Sequence, residues 1–459
     1  MNTAQTSTVV IGLGKTGHSC ARYLAQTGVD FSVVDTREQP PYLQVLKDES
    51  PNVEVTLGPL NGEHLSRAKV LYVSPGIAKD EPAIVQAVAA GAQLSGDIDL
   101  FCQAVSAPIV AITGSNAKST VTSLVGLMAE KAGKKVAVGG NLGTPVLALL
   151  EQGQSELYVI ELSSFQLEIT RDLEAEVATV LNISADHLDR YADLEDYRQA
   201  KYRIFNNCRQ IVVNADDPQV PNNWTTKAAS QEHTWRFGLV PSTSNTFGVI
   251  KQGEELFLAF DGRSLMAASE MKIKGIHNVS NALAALALGH AVGVPMSSML
   301  AALREFPGLR HRGQWLANIR GVDYYNDSKG TNVGATVAAM RGLAGAITGK
   351  IVLIAGGQGK GSCFDDLGEP FKTSCRGLVL LGEDADQIAA VAKKAAPGLP
   401  QVRVDSMPEA VRQAQTFAQH GDLVLLSPAC ASFDMFNNFE HRGEVFIEAV
   451  KMLEQGGLS

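Results

Sequence analysis

Long apolar runs are missing from this 459-residue chain: nowhere do about 18 apolar residues follow one another, which excludes a membrane-spanning helix. The first residues carry no basic stretch leading into an apolar one, so no export signal is expected. Cysteine is scarce, with six residues (Cys20, Cys102, Cys208, Cys363, Cys375 and Cys430) that never form a C-x-x-C pair. A zinc framework and a disulfide scaffold are both disfavoured, and small core thiols in a reducing cytoplasm are expected. Positive charge is in deficit as well. With 39 Lys and Arg against 48 Asp and Glu, the net charge is -9. A general nucleic-acid surface, which needs clustered cations, is thereby excluded. Any anionic ligand must be held by local groups. Aromatics are few at 6%, whereas 43 glycines and 45% hydrophobic residues give the composition of a soluble α/β protein.

A chain of this length is expected to form two to four domains. Short β-branched runs alternate with helix-length segments in three cycles: residues 7–12, 30–35 and 68–76, then 107–115, 156–164, 176–184 and 209–217, then 349–357, 376–384 and 421–429. That alternation predicts parallel strands joined by crossover helices. Residues 218–275 are richer in Asn, Ser and Thr, with short alternating runs such as "EELFLAF", and predict a small antiparallel patch. Three α/β domains follow, at 1–96, 97–308 and 309–459, the last boundary lying in the turn-like "FPGLRHRG".

Two glycine-bearing loops carry the chemistry. "GLGKTG" (12–17) follows the first strand, and Asp35 ends the next one. This is the dinucleotide fingerprint, in which a tight turn brings backbone N–H groups to a phosphate at a helix start. Arg37 in "DTR" and "SPG" (74–76) suit an anionic nucleotide at the strand ends, and a uridine diphosphate fits as well as NAD. The second loop, "AITGSNAKSTVTSLVG" (111–126), has the outline of a phosphate loop but carries Ala117 before Lys118 where glycine is expected. Its backbone N–H groups face an anion, Lys118 supplies a point charge, and Ser119 or Thr120 can reach magnesium. Alanine is the smallest departure from glycine at such a position.

"TGSNAKST" closely resembles the T-G-x-N-G-K-S/T loop of the Mur ligases and folylpolyglutamate synthases, with only Ala117 departing from it. Further matches follow in order: "GGNLG" (139–143), "ELSSFQLE" (161–168), "DHLDRY" (186–191), "AKYRIF" (200–205), "HNVSNALAAL" (277–286), "HR" (311–312), "NDSKGTN" (326–332), "GGQGKG" (356–361) and "SPACASFDMFNNFEHRG" (427–443). The last of these are similar to the D-glutamate-adding branch of the Mur ligases. Gly330 and Gln358 depart from the usual Ala and Asp.

The resemblance implies an N-terminal Rossmann-like domain, a central P-loop domain and a C-terminal Rossmann-like domain. It also implies ATP-dependent amide formation between UDP-N-acetylmuramoyl-L-alanine and D-glutamate through an acyl phosphate, by a cytoplasmic monomer using two magnesium ions. The matched positions imply the roles. Gly114, Ser115, Asn116, Ala117, Lys118, Ser119 and Thr120 form the ATP loop, Lys118 and Arg312 neutralise phosphate, and Asn278, Asn281 and Asp327 contact adenosine. Ser119 and Glu161 hold one magnesium, and His187 with a carbamylated Lys201 holds the other. Gly14, Lys15, Thr16, Asp35, Thr36, Arg37, Ser74 and Gly76 line the UDP site, with Asn141, Ser163 and His187 toward its muramoyl-alanine end. Lys329, Thr331, Lys360, Ser432 and Phe439 form the D-glutamate pocket, whose ligand carries two carboxylates.

Several of these residues have ordinary alternatives in the bare sequence. Glu161 could form a structural ion pair, His187 (between Asp186 and Asp189) could belong to a helix cap, Asn278 could cap its helix, and Arg312 and Lys329 could be solvated. Lys201 is marked by periodicity alone. In "DLEDYRQAKYRIFNNC" (193–208), Leu194, Tyr197, Ile204, Phe205 and Cys208 share one helical arc with Lys201 inside it. An inward lysine loses its proton more readily, and a neutral amine can add carbon dioxide.

Overall fold

The computed structural model describes residues 7–188, 190–220, 233–345 and 347–456. Three sheets succeed one another along the chain. The first has five parallel strands in the order Val55–Leu57, Ser32–Asp35, Thr8–Ile11, Val70–Val73, Gln93–Ser95. Thr8–Ile11 and Ser32–Asp35 are buried throughout, as β-branched strands covered on both faces must be. The helix Lys15–Gln26 presses on this sheet at Gly17, where a Cβ would come within 1.7 Å of the Gly12 carbonyl oxygen. Only glycine permits that approach.

The second sheet has nine strands: Arg263–Ala267, Glu255–Phe260, Thr246–Gln252, Thr234–Pro241, Gln210–Asn214, Val177–Val180, Ile109–Thr113, Leu157–Glu161, Val136–Gly140. Its first two pairings are antiparallel and the others parallel. The antiparallel patch is therefore the outer edge of the parallel sheet rather than a separate unit. Residues 221–232 of the stretch that predicts it lie outside the described residues. Helices Lys118–Lys131, Ile276–Ala291 and Met296–Glu305 cover one face through Val121, Leu124, Leu283, Leu286 and Met299. The core on the other face runs on into the first sheet's, joining Val10 and Cys20 to Ile160 and Phe205.

The third sheet has six strands, Gln314–Ile319, Val322–Asn326, Leu423–Leu426, Ile351–Ala355, Cys375–Leu380, Gln401–Arg403, and only its first pair is antiparallel. It meets the central region at a close seat: a Cβ on Gly342, in helix Val333–Ala344, would lie 1.9 Å from Nδ1 of His277. Among the described residues, no helix is long and apolar enough to cross a membrane.

Candidate active site

Strand Ile109–Thr113 delivers the chain into residues 114–117, and the helix begins at Lys118. Ala117 has φ 65° and ψ -3°. It occupies the left-handed region that makes glycine usual there, at a cost of about 1–2 kcal/mol for an L-residue. Asn182 holds the loop by accepting from the Asn116 N–H at 2.8 Å and donating to the Asn116 carbonyl at 3.2 Å. Lys118 Nζ folds back to donate to the carbonyls of Gly114 and Ser115 at 2.8 and 3.0 Å. Lys201 Nζ donates to the same Gly114 carbonyl at 2.9 Å and lies 4.6 Å from the Tyr197 ring centre.

Lys201 does face inward, at 2% exposure. Burial first, and the Lys118 charge second, push its pKa well below that of an ordinary lysine. Burial also lowers Lys118, against the pull of Glu161 and Asp186. Two lysine amino groups thus converge on one carbonyl, with the Glu161 and Asp186 carboxylates nearby.

Glu161 ends its strand buried, and among the described residues no ion pair holds it. Its carboxylate accepts from the Ser119 hydroxyl and the Asn141 amide, each at 2.6 Å. Arg312 crosses from the C-terminal region to donate to Ser119 Oγ at 2.7 Å. It is half-buried between two cavities rather than free on the surface, and burial lowers its pKa. Lys329 lies 4.2 Å from the Phe439 ring centre, and burial with the nearby Arg312 and Lys118 charges brings its pKa down to about 8. His187 adopts φ 57° and meets Phe165 edge-on at 4.8 Å. Asp189 lies outside the described residues. Asn278 is no cap: Gly275 holds that position, and Asn278 accepts from the Asn281 amide at 3.1 Å.

Three cavities join at this cluster. The middle one, about 510 Å³, is lined by Ser115 through Ser119, Asn141, Glu161, Ser163, His187, Lys201 and Arg312, and from the C-terminal side by Lys329, Thr331, Lys360, Ser432 and Phe439. A second, of about 630 Å³, opens on the N-terminal side between Gly14, Lys15, Thr16, Asp35, Thr36, Arg37, Ser74 and Gly76, and shares Asn141 with the middle one. A third, of about 260 Å³, lies between Thr120, Asn278, Asn281 and Asp327, and shares Asn116, Ala117, Arg312 and Lys329. Every residue to which the resemblance assigns a role lines one of them except Gly114, whose carbonyl accepts from Lys118 and Lys201.

In the second cavity the Asp35 carboxylate takes a hydrogen bond from the Leu13 N–H at 2.6 Å and a two-pronged contact from Arg37 at 2.7 and 2.8 Å. Burial works to raise its pKa, but these bonds outweigh burial and hold it below the usual carboxylate range.

Sequence reasoning missed Asn332. Its amide donates to Asp186 at 3.1 Å and to Asn116 at 3.2 Å, bridging the C-terminal region to the loops that carry Lys118 and His187. An Asn before a helical run signals an N-cap, and Asn332 does cap its helix. The reach across 216 positions to Asn116 has no local signal.

Family models match three consecutive stretches of the chain: a Mur ligase MurD-like N-terminal domain over residues 6–96, a Mur ligase middle domain over 112–289, and a Mur ligase glutamate ligase domain over 311–430. A UDP-N-acetylmuramoylalanine--D-glutamate ligase of Pseudomonas aeruginosa is 56% identical over 445 residues, covering 97% of this chain and 98% of the relative. The chain belongs to the Mur ligase family. A ligase of the same name from Nitrosococcus oceani is 50% identical over 447 residues, covering 97% of this chain and 96% of its own. Two solved ligases share the fold. A pseudomurein peptide ligase type C from Methanothermus fervidus has a TM-score of 0.61 at 18% identity, covering 97% of this chain and 100% of that one. MurF from Acinetobacter baumannii has a TM-score of 0.61 at 17% identity, with 97% and 92% covered. At these identities the likeness is one of architecture, and it shows that the three-sheet arrangement is a Mur ligase fold.

Proposed function

We infer that this Mur ligase is an ATP-dependent enzyme that joins D-glutamate to UDP-N-acetylmuramoyl-L-alanine, a step in making peptidoglycan precursors. The observation that carries the reading is the row of three cavities: the middle one, lined by Lys118, Glu161 and Arg312, shares Asn141 and Gly143 with the second and Asn116, Ala117, Arg312 and Lys329 with the third. We divide the chain at 97 and 308 into a UDP-substrate domain, an ATP domain and an amino-acid domain. The second cavity takes the uridine diphosphate, with Arg37 steadied by Asp35. The third takes adenosine against Asn278, Asn281 and Asp327. The middle one holds the reacting carboxylate, the transferred phosphate and D-glutamate.

A carboxylate oxygen attacks the γ-phosphorus of ATP and ADP leaves. The amine of D-glutamate then attacks the acyl carbon, loses a proton, and phosphate departs with the former carboxylate oxygen. Lys118 and Arg312 neutralise the charge that gathers on the transferred phosphoryl oxygens, so the chain contributes mostly placement and electrostatics. Lys329 and Lys360, helped by Thr331 and Ser432, take the two carboxylates of D-glutamate, while Phe439 packs on the Lys329 ammonium.

Magnesium fits the hard oxygen donors of Ser119 and Glu161 and, when bound, would offset phosphate charge. A carbamate on Lys201 would give His187 an anionic partner for a second ion. Burial first, and the Lys118 charge second, push the Lys201 amine toward the neutral form that can add carbon dioxide. We place the enzyme in the cytoplasm, where ATP and UDP-linked precursors are found, acting as a monomer.

The test is ADP release that requires both UDP-N-acetylmuramoyl-L-alanine and D-glutamate. Turnover with folate acceptors instead would make it a folate ligase, nicotinamide binding would favour a dehydrogenase, and ATP binding without acceptor-dependent turnover would make it a sensor.

A further inference from the structure

We propose that Arg190 is a positioning residue that ties the loop walling the UDP cavity to the turn that carries His187. The proposal rests on reading the second cavity as the UDP end. The Arg190 guanidinium donates to the carbonyls of Pro75 and Ile77, at 3.3 and 3.1 Å. Those carbonyls flank Gly76, and all three residues line the second cavity. The same guanidinium lies 4.5 Å from the centre of the Phe165 ring. His187 meets that ring edge-on at 4.8 Å, and Tyr191 stacks with it at 5.9 Å.

One aromatic ring thus gathers the arginine from the UDP side and the histidine from the reacting side. Phe165 and His187 both line the middle cavity, so movement at Gly76 is passed on to where the acyl phosphate forms.

The turn itself is under constraint. His187 holds φ 57°, a left-handed conformation that a non-glycine residue keeps only when its surroundings enforce it. The N–H groups of Arg190 and Tyr191 both donate to the His187 carbonyl, at 2.9 and 3.1 Å, closing the turn from behind. Two side chains then anchor it at a distance. Arg190 reaches residues 75 and 77, and the Tyr191 hydroxyl donates to Glu168, whose carboxylate also faces Lys79 at 3.7 Å. Both anchors end on the 75–79 stretch.

The chemistry asks for arginine in particular. A planar fork of donors can serve two carbonyls while its face lies on an aromatic ring, whereas an ammonium offers one point of charge. An arginine that merely glued two domains would affect stability. A positioning arginine must also change how the UDP cavity binds and how fast the reaction runs.

The experiment measures UDP binding to the ligand-free protein by calorimetry, together with kcat and each substrate's KM, for Arg190→Ala, Arg190→Lys and Phe165→Leu. With Arg190→Ala, UDP affinity and kcat are each expected to fall by about tenfold, while the KM for ATP stays within about twofold. Arg190→Lys should recover only part of both losses. Phe165→Leu should lower kcat while leaving UDP affinity near that of the parent, and adding it to Arg190→Ala should cost less in kcat than the product of the two single effects.

The proposal is overturned if Arg190→Ala lowers thermal stability but binds UDP and turns over within twofold of the parent. It is equally overturned if ATP and UDP binding weaken alike, or if the two substitutions multiply. Should Arg190→Ala fail to fold, the lysine variant's UDP affinity and kcat decide in the same way. Calorimetry with UDP needs no turnover, so the tie is tested even if another acceptor or amino acid proves to be the substrate, whereas parent-enzyme turnover tests the reaction itself.

Discussion

The two strand-to-helix loops of this enzyme look alike in outline and work by different means. "GLGKTG" keeps the usual spelling, and its glycines serve packing: Gly17 lets a helix close on the Gly12 carbonyl. Its acidic partner, Asp35, is already engaged by Leu13 and Arg37. "TGSNAKST" breaks the spelling at Ala117, yet its backbone goes where a glycine would go, and it gathers basic side chains. Lys118 and Lys201 share one carbonyl, with Arg312 close by at Ser119. The first loop shapes a binding surface; the second stores unbalanced charge, and spelling alone does not tell them apart.

That contrast can be broken most forcefully at Lys118. Lys118→Ala is expected to lower kcat by at least about 10³-fold, measured as acceptor-dependent ADP release, and a loss under tenfold would remove the distinction between the loops. Lys201→Ala comes next, with a loss of about 10²-fold and no change of fold by circular dichroism. Acetate should restore part of the loss by filling the vacated anion site; Lys201→Arg should stay inactive, since guanidinium does not deprotonate, and a fully active arginine variant would rule out the carbamate.

The stored charge also titrates. Burial brings Lys329 down to about 8, so the ammonium proposed to attract a D-glutamate carboxylate is present below that pH and lost above it. The value of kcat/KM for D-glutamate should therefore decline above pH about 8, approaching tenfold per unit, and a flat profile to pH 10 would place the carboxylate elsewhere. At the first loop the effects shrink. Asp35→Asn releases Arg37 from its two-pronged partner and should raise the KM for the UDP substrate about fivefold with kcat unchanged. Smallest of all is Ala117→Gly, which relieves a left-handed alanine but adds backbone freedom to the unfolded chain, leaving a gain below about 1 kcal/mol and turnover within twofold. A large loss of ATP affinity there would mean that the Cβ itself is needed.

Much of this was legible in the sequence, for reasons that differ by region. Runs such as "VVIG" and "IVLIA" are β-branched and buried on both faces, so their strands stand out. Val136–Gly140 and Gln314–Ile319 were not anticipated, because "VAVGG" ends in glycines and "QWLANI" is half polar at a sheet edge. The inward course of Lys201 followed from helical spacing. Its sharing of the Gly114 carbonyl, 87 positions away, did not, since periodicity reports the face of an element and not what that face meets. Asn332 and Phe165 were missed for the same reason. Gly330, where the family usually carries Ala, sits 2.6 Å from Ser427 Oγ when a Cβ is built on it, so an alanine would require that hydroxyl, which donates to Asp327 at 2.8 Å, to give way.

The shared walls of the three cavities bear on inhibition. Asn141 and Gly143 belong to the first pair of cavities, and Arg312 and Lys329 to the second. A compact molecule laid across the Asn141 wall would occupy two chambers while losing the freedom of only one body, the advantage that linking gives to any pair of binders. It would also touch two regions of the chain at once, because Lys329, Lys360, Ser432 and Phe439 line the middle chamber together with Lys118 and Glu161. Such a molecule would act as a strut between those regions as well as a plug.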